Sequence, residues 1–215
     1  MNSESTVFLV DDEVSVLRAI SRLLRSAGFN VETFRSGQEF LQRYDPNAAG
    51  CLVLDIAMPG VNGLDLEQTL NSKRIEVPII FLTAHGDIPM SVQAMKRGAM
   101  DFLTKPANDE DLLTAIRAGL ERDRTNRQAR ADLAEIQQRV STLTPRERQV
   151  LVEVVSGKLN KQVAANLGVG EKTIKVHRAR VIKKMKVHSV AELVRVTERA
   201  GIKPLPDAGR SARVG

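Results

Sequence analysis

Five residues of this chain have types and positions suited to chemistry: Asp11, Asp12, Asp55, Thr83 and Lys105. Each stands at or just beyond the end of a short apolar run. Asp55 closes the run Cys51 to Leu54, after which Pro59, Gly60 and Gly63 force a loop. Alone, such an Asp is a loop cap. With the other four it becomes a constellation. Clustered carboxylates repel one another, and a divalent cation relieves that repulsion. Hard oxygen ligands with water to spare suit Mg²⁺. A carboxylate left reachable can attack a phosphoryl group. Lys105 can pair with the transferred oxygens as a cation, and Thr83 can donate a hydroxyl hydrogen bond to them.

The elements that would position these residues can be read in order. Thr6 to Val10 is a strand, followed by a helix with Val16, Ile20, Leu23 and Leu24 that ends at Gly28. Val31 to Phe34 is a second strand. Ser36 caps a short helix carrying Phe40 and Leu41. The Asp55 strand follows, then a helix with Leu64, Leu66 and Leu70. Val77 to Leu82 is the fourth strand. A helix with Val92 and Met95, both read as core, ends near Gly98. Asp101 to Thr104 is the fifth strand, and a last helix carries Leu112, Ala115, Ile116 and Leu120. Strands alternating with helices argue an α/β fold, a doubly wound parallel sheet covered on both faces. In such sheets ligands bind beyond the carboxyl ends of the strands. All five residues fall at that rim.

The 215 residues allow one large or two small domains, and a hydrophobic content of 42% is enough for real cores. No apolar run approaches the ~20 residues of a membrane span. The start, Met1 to Thr6, lacks the basic and apolar regions of a signal peptide. The single cysteine, Cys51, excludes an intramolecular disulfide, and no His/Cys cluster suggests zinc. A soluble cytoplasmic protein is the expectation. The net charge of +6 is unevenly placed. Residues 1–125 hold 13 Lys and Arg against 18 Asp and Glu; residues 126–215 hold 19 against 8. An acidic half of −5 joined to a basic half of +11 suggests two domains with different partners, nucleic acid for the second.

Between the halves, Glu121 to Asp132 has four arginines, no Gly or Pro, and only Ala as an apolar residue. Leu133, Ile136, Val140 and Leu143 then recur at helical spacing. This predicts a helical extension, exposed at first, whose far end packs on the second domain or a partner.

In the basic half Thr144, Pro145 and Glu147 predict a helix start with a capping box. Val150, Leu151, Val154 and Val155 form its apolar stripe, and Gly157 ends it. Asn160 is read as the cap of the next helix, with Val163, Ala164 and Leu167 inward. Leu167 to Gly170 is a tight turn, Glu171 to Lys186 a third helix, and Ser189 caps a fourth. Two short helices across a Gly turn resemble a helix-turn-helix. On the third helix Ile174, Val181 and Met185 share an inward stripe at 100° per residue. Opposite lie Lys172, Val176, Ala179 and Lys183, flanked by Thr173, Lys175 and Arg180. Such a face suits a DNA major groove, with Val176 able to touch a thymine methyl. A solvated basic helix is the plainer reading, but an exposed valine among lysines fits it less well.

Two family resemblances rest on these residues. Residues 5–122 resemble the flavodoxin-like receiver domain of two-component response regulators: Asp11-Asp12, Asp55 with Met58-Pro-Gly60, Thr83-Ala84 and Lys105-Pro106 match that family's motif in order and spacing. The resemblance implies that Asp55 accepts a phosphoryl group from a sensor histidine kinase. It implies that Asp12, Asp55 and the backbone carbonyl of Ala57 hold Mg²⁺, with Asp11 supporting. Thr83 would swing toward the phosphoryl group and Phe102 would turn inward with it. Many relatives carry tyrosine at that aromatic position; Phe102 has no hydroxyl. The Ile88–Lys105 face would pair two copies on phosphorylation.

Residues 141–197 are similar to the LuxR-type helix-turn-helix, closest to the FixJ branch of response regulators, through Leu143 to Arg148, Gly157 to Lys161 and Glu171 to Arg178. That resemblance implies an all-α four-helix domain with Lys172, Thr173, Lys175, Val176, His177 and Arg180 at the DNA. Asn160 and Lys161 would touch phosphates. At Ala179 some relatives place a base-reading lysine. His177 would be a packed histidine bonding one phosphate, not a catalytic one.

The expected organisation is therefore a phosphoacceptor domain at 1–122, a helical linker at 123–140, a DNA-binding domain at 141–200 and a disordered tail at 201–215. The expected function is promoter binding controlled by phosphorylation of Asp55, with homodimerisation between the two events and RNA polymerase among the partners. A phosphohydrolase using Asp55 is the competing class. Such enzymes often place a general-acid Asp two residues beyond the nucleophile, where this chain has Ala57. A regulator with a vestigial site is a third reading, which the intact five-residue set opposes.

Overall fold

The structure is a computed structural model that describes residues 5–84, 95, 96 and 98–202. Its contacts fall into two units, Met1–Arg127 and Gln128–Gly215. The first is built from β1 (Thr6–Val10), α1 (Val14–Ser26), β2 (Asn30–Phe34), α2 (Gly37–Arg43), β3 (Gly50–Leu54), α3 (Gly63–Ser72), β4 (Ile79–Thr83), β5 (Asp101–Thr104) and the first part of α4 (Asp109–Ser141). All neighbouring strands pair in parallel, in the order β2-β1-β3-β4-β5. The sheet is the α/β fold expected.

Alternation along the strands explains the two faces. Val7 and Leu9 of β1 join Leu17 and Leu24 of α1 and Leu112 and Ile116 of α4. Phe8 and Val10 join Phe40 of α2 and Leu66 and Leu70 of α3. β3, sandwiched between β1 and β4, is buried along its whole length. The strand order reverses between β1 and β3, where a crevice opens at their carboxyl ends. Asp11, Asp12 and Asp55 lie there.

Local signals act as read at Ser36, whose hydroxyl accepts the Glu39 N–H at 3.1 Å. The Asn62 side chain does the same for Asp65 at 2.9 Å and starts α3 directly after the Asp55 loop. Not every expectation holds. Met95 is 48% exposed rather than core. Val92 lies outside the described residues, as do 88–94 and 97 of the Ile88–Lys105 face and the tail beyond Ile202.

Helix α4 runs unbroken for 33 residues. Its middle is mostly exposed, as expected. The exception is Asp123, which is buried and accepts the Gly50 N–H at 2.9 Å. Arg127 closes the arrangement through Asp123 at 2.7 Å and the carbonyls of Asn47 (2.8 Å) and Ala48. The cause is the start of β3. A Cβ at Gly50 would stand 1.9 Å from the Thr6 carbonyl oxygen, so the strand is drawn in tightly there. Its buried N–H needs an acceptor, and Asp123 supplies one.

The second unit holds the end of α4, then α5 (Pro145–Val155), α6 (Asn160–Leu167), α7 (Glu171–Met185) and α8 (Val190–Arg199). Ile136, Val140 and Leu143 pack with Val150, Leu151, Val163, Ile174, Val181, Met185 and Leu193 in one core. The capping box forms: the Thr144 hydroxyl accepts the Glu147 N–H at 3.2 Å, and Glu147 accepts the Thr144 N–H at 2.9 Å. Gly168 ends α6 at φ 65°, a left-handed conformation that favours glycine. Asn160, expected as a cap, is instead the first residue of α6. Leu159 precedes it, and the Gln162 side chain takes the Leu159 N–H at 2.8 Å. Among the described residues no helix is long and apolar enough to cross a membrane.

Candidate functional site

The rim of the first unit is assembled by backbone pairing. The Asp55 N–H bonds the Val10 carbonyl at 2.9 Å, which brings the end of β3 beside the end of β1. The Lys105 N–H bonds the Thr83 carbonyl at 2.8 Å and fixes the far side of the crevice. Lys105 and Pro106 are joined by a cis peptide bond. The Lys105 ammonium then reaches two carboxylates, Asp11 Oδ2 at 2.6 Å and Asp55 Oδ2 at 2.8 Å. Asp11 Oδ1 accepts the Glu13 N–H at 2.9 Å, and Asp55 Oδ1 accepts the Ala57 N–H at 3.1 Å. Asp12 is half-buried beside them. Thr83 is fully buried at the end of β4. Phe102 is half-buried against the core, its ring 6.5 Å from that of Phe81.

Charge is crowded here. Burial pushes the Asp11 carboxyl up from its ordinary value, against the opposing pull of Lys105 and the Glu13 N–H. Burial works against the Lys105 ammonium too, but its hydrogen bonds to Asp11 and Asp55 outweigh that, and its pKa is raised. One ammonium bonds two of three clustered carboxylates. One ligand oxygen from each of Asp11, Asp12 and Asp55 lies within 4.8 Å of the others. Opposite ligands of an octahedral Mg²⁺ stand about 4.2 Å apart, so the cluster suits that ion with little adjustment.

The loop after Asp55 has a strict requirement. A Cβ at Gly63 would stand 2.4 Å from the Asp55 carbonyl oxygen and 2.8 Å from Ile56 Cα. The first turn of α3 thus lies directly on the backbone that presents Asp55.

In the second unit the expected DNA-facing residues fall on α6 and α7. Lys161, Lys172, Thr173, Lys175 and Arg180 are exposed, and Val176 is 46% exposed. Lys175 pairs loosely with Glu171 at 3.4 Å. His177 is half-buried, and its Nδ1 has no hydrogen-bond partner among the described residues. Asn160 is half-buried, and its Oδ1 accepts from the Arg178 guanidinium at 2.9 Å. Reading the face of α7 had passed over Arg178, which lies nearer the inward stripe than the basic face.

The carboxyl end of α7 is fastened from α4 and α5. Arg139 donates to the Met185 carbonyl at 3.2 Å, and Lys184 reaches the Thr142 carbonyl at 3.0 Å and Glu147 at 2.6 Å. Lys184, with help from the Thr144 N–H, holds the Glu147 carboxyl below its usual range.

Comparison with known proteins places both halves. Residues 7–117 match the response regulator receiver domain, and residues 141–197 match the bacterial regulatory proteins of the luxR family. Nodulation protein W of Bradyrhizobium diazoefficiens is 47% identical over 201 residues, which cover 94% of this chain and 88% of that protein. Transcriptional regulatory protein FixJ of Azorhizobium caulinodans is 41% identical, covering 94% and 96%. Among solved structures, the response regulator StyR gives a TM-score of 0.83 at 48% identity, covering 91% of this chain and 99% of that one. Full-length FixJ from B. japonicum gives 0.57 at 37% identity, covering 94% and 100%. The chain belongs to the response regulators of the FixJ type, transcription regulators in which a receiver domain is joined to a LuxR-type DNA-binding domain.

Proposed function

We propose that Asp55 is the phosphoacceptor and that its phosphorylation by a sensor histidine kinase controls promoter binding. The observation that carries this reading is the single ammonium of Lys105 held between Asp55 Oδ2 and Asp11 Oδ2. In the transfer an Asp55 oxygen forms the new O–P bond as the phosphoramidate N–P bond of the kinase breaks. Lys105 then turns its charge to the phosphoryl oxygens. Mg²⁺ would be held by the carboxylates of Asp11, Asp12 and Asp55 with the Ala57 carbonyl, and supplies positive charge against the same oxygens. Thr83, at the end of the neighbouring strand, moves to hydrogen-bond the phosphoryl group, and Phe102 follows into the core. Two copies then pair through the Ile88–Lys105 face.

Pairing brings two α7 helices onto half-sites about one DNA turn apart. Lys172, Thr173, Lys175, Val176, His177 and Arg180 meet the DNA, and Asn160 and Lys161 take phosphates. RNA polymerase is the further partner of a promoter-bound regulator. A protein that meets both a kinase and promoter DNA works in the cytoplasm. Turnover of small phosphate esters is the weaker reading, because position 57 offers no second carboxylate.

The test is phosphate-affinity gel mobility after incubation with acetyl phosphate and Mg²⁺, for wild type and Asp55→Asn. A shifted band in wild type alone is expected. A band shifted equally in both proteins would place the acceptor elsewhere. Duplex binding measured with and without the phosphoryl donor tests the coupling, and equal affinity would overturn it.

A further inference from the structure

Arg178 stands where an apolar residue would be expected. Ile174, Val181 and Met185 are the buried residues of α7. At 100° per residue Arg178 lies roughly 40° from Ile174 and roughly 60° from Val181. Positions 174, 178, 181 and 185 make one inward stripe, with a guanidinium at the second place. If only packing mattered there, leucine or methionine would serve. The Arg178 side chain instead reaches the first residue of α6 and donates to Asn160 Oδ1 at 2.9 Å.

That contact has a direction. A guanidinium has donors only, while the Asn amide has an acceptor end and a donor end. Arg178 must therefore take the oxygen of Asn160, and the amide NH₂ is turned away from it. A DNA phosphate accepts hydrogen bonds and donates none. The amide thus offers a phosphate its matching end. Without Arg178 the amide can rotate and present its oxygen, which a phosphate repels.

We propose that Arg178 is a positioning residue: it sets the polarity of the Asn160 amide, and so the donor that α6 offers to a DNA phosphate. The proposal rests on Asn160 lying at the DNA, and the experiment separates the two. A labelled duplex is enriched by in vitro selection on the wild-type full-length chain. Its affinity is then measured against salt, with and without acetyl phosphate and Mg²⁺. The variants are Asn160→Ala, Arg178→Met, Arg178→Gln and the double variant Asn160→Ala/Arg178→Met.

Positioning predicts that Asn160→Ala and Arg178→Met each weaken binding roughly tenfold, a step of about 1.4 kcal/mol. The double variant is no weaker than either single one, because both remove the same contact. The slope of log affinity on log salt stays at the wild-type value. Arg178→Gln, which keeps a donor and loses the charge, binds better than Arg178→Met. A slope shallower by about 0.9 in both Arg178 variants means that the guanidinium neutralises a phosphate itself, which overturns the proposal. Multiplying losses overturn it as well. Wild-type affinity in Asn160→Ala removes the premise, whereas a loss there with none in Arg178→Met removes the Arg178 role alone. If Arg178→Met fails to fold, Arg178→Gln carries the slope test.

Discussion

Lys105 and Asp55 meet through one oxygen: the ammonium takes Oδ2 at 2.8 Å, and the Ala57 N–H takes Oδ1 at 3.1 Å. Both oxygens of the buried carboxylate are thus held in place, one by a charge and one by a loop amide. Lys105 is also the bridge to Asp11, and its side chain is 12% exposed. Removing it leaves carboxylates facing one another with no compensating ion pair among the described residues. Lys105→Met should cost the receiver domain about 3 kcal/mol at neutral pH without divalent ion. Mg²⁺ should restore part of that, because a second cation then meets the same carboxylates. Urea unfolding with and without Mg²⁺ measures both effects, and indifference of the variant to Mg²⁺ would count against a cation site.

Gly63 supports the acceptor from below. Gly63→Ala brings a methyl into the Asp55 carbonyl and the Ile56 backbone, neither of which can swing aside as a side-chain tip would. A loss of about 1–3 kcal/mol in receiver stability is expected, with phosphorylation by acetyl phosphate slowed as Asp55 is displaced. Gly60→Ala is the comparison. Nothing lies within 4 Å of a Cβ there, but φ is 81°. It should cost about 1–2 kcal/mol from backbone strain alone and leave phosphorylation near wild type.

Cys51 tests how tightly β3 is enclosed. Burial pushes its thiol up to about 12, with the nearby Asp123 charge adding to the effect. At pH 8 the folded protein should be inert to a thiol reagent on a timescale in which the urea-unfolded chain reacts fully. Rapid labelling of the folded chain, followed by mass spectrometry, would mean that the strand opens readily.

Glu147 gives the second unit an acid-sensitive point. Its carboxyl is held low by Lys184 and then by the Thr144 N–H. A depressed acid contributes stability that is present above the ordinary value of 4.5 and is lost as pH falls through the lower, folded value. Hydrogen-exchange protection in α5 and α7 should therefore fall as pH drops below about 4.5. Glu147→Gln should show less protection at pH 7 and a flatter acid limb. Parallel curves for the two proteins would refute this role.

Much of the sheet could be read from the chain because each strand is a short apolar run with a polar stop, and alternation in β1 matches the two helical layers. Asp11, Asp55 and Lys105 were visible for the same reason: they are those stops. Asp123 and Arg127 were missed because nothing local marks them. They look like an ordinary i, i+4 pair on a polar helix, and the group that buries them is Gly50, 73 residues away. Asn160 reads as a cap in the sequence because its type and place fit one. Its oxygen instead serves Arg178, on another helix. Met95 followed helical spacing, but periodicity names a face without saying whether anything covers it.

The end of α4 bears on where this chain can be cut. The family match begins at 141, but the core of the second unit already includes Ile136 and Val140, and Arg139 ties to the end of α7. Upstream, Asp132 holds Arg199 of α8 at 2.9 Å. A separately expressed fragment begun at the match boundary would lack two buried aliphatic side chains worth about 1.5–3 kcal/mol each. It would expose the floor of its own core. One begun at residue 128 keeps that floor, so the practical boundary for an autonomous DNA-binding piece lies about a dozen residues before the recognisable motif.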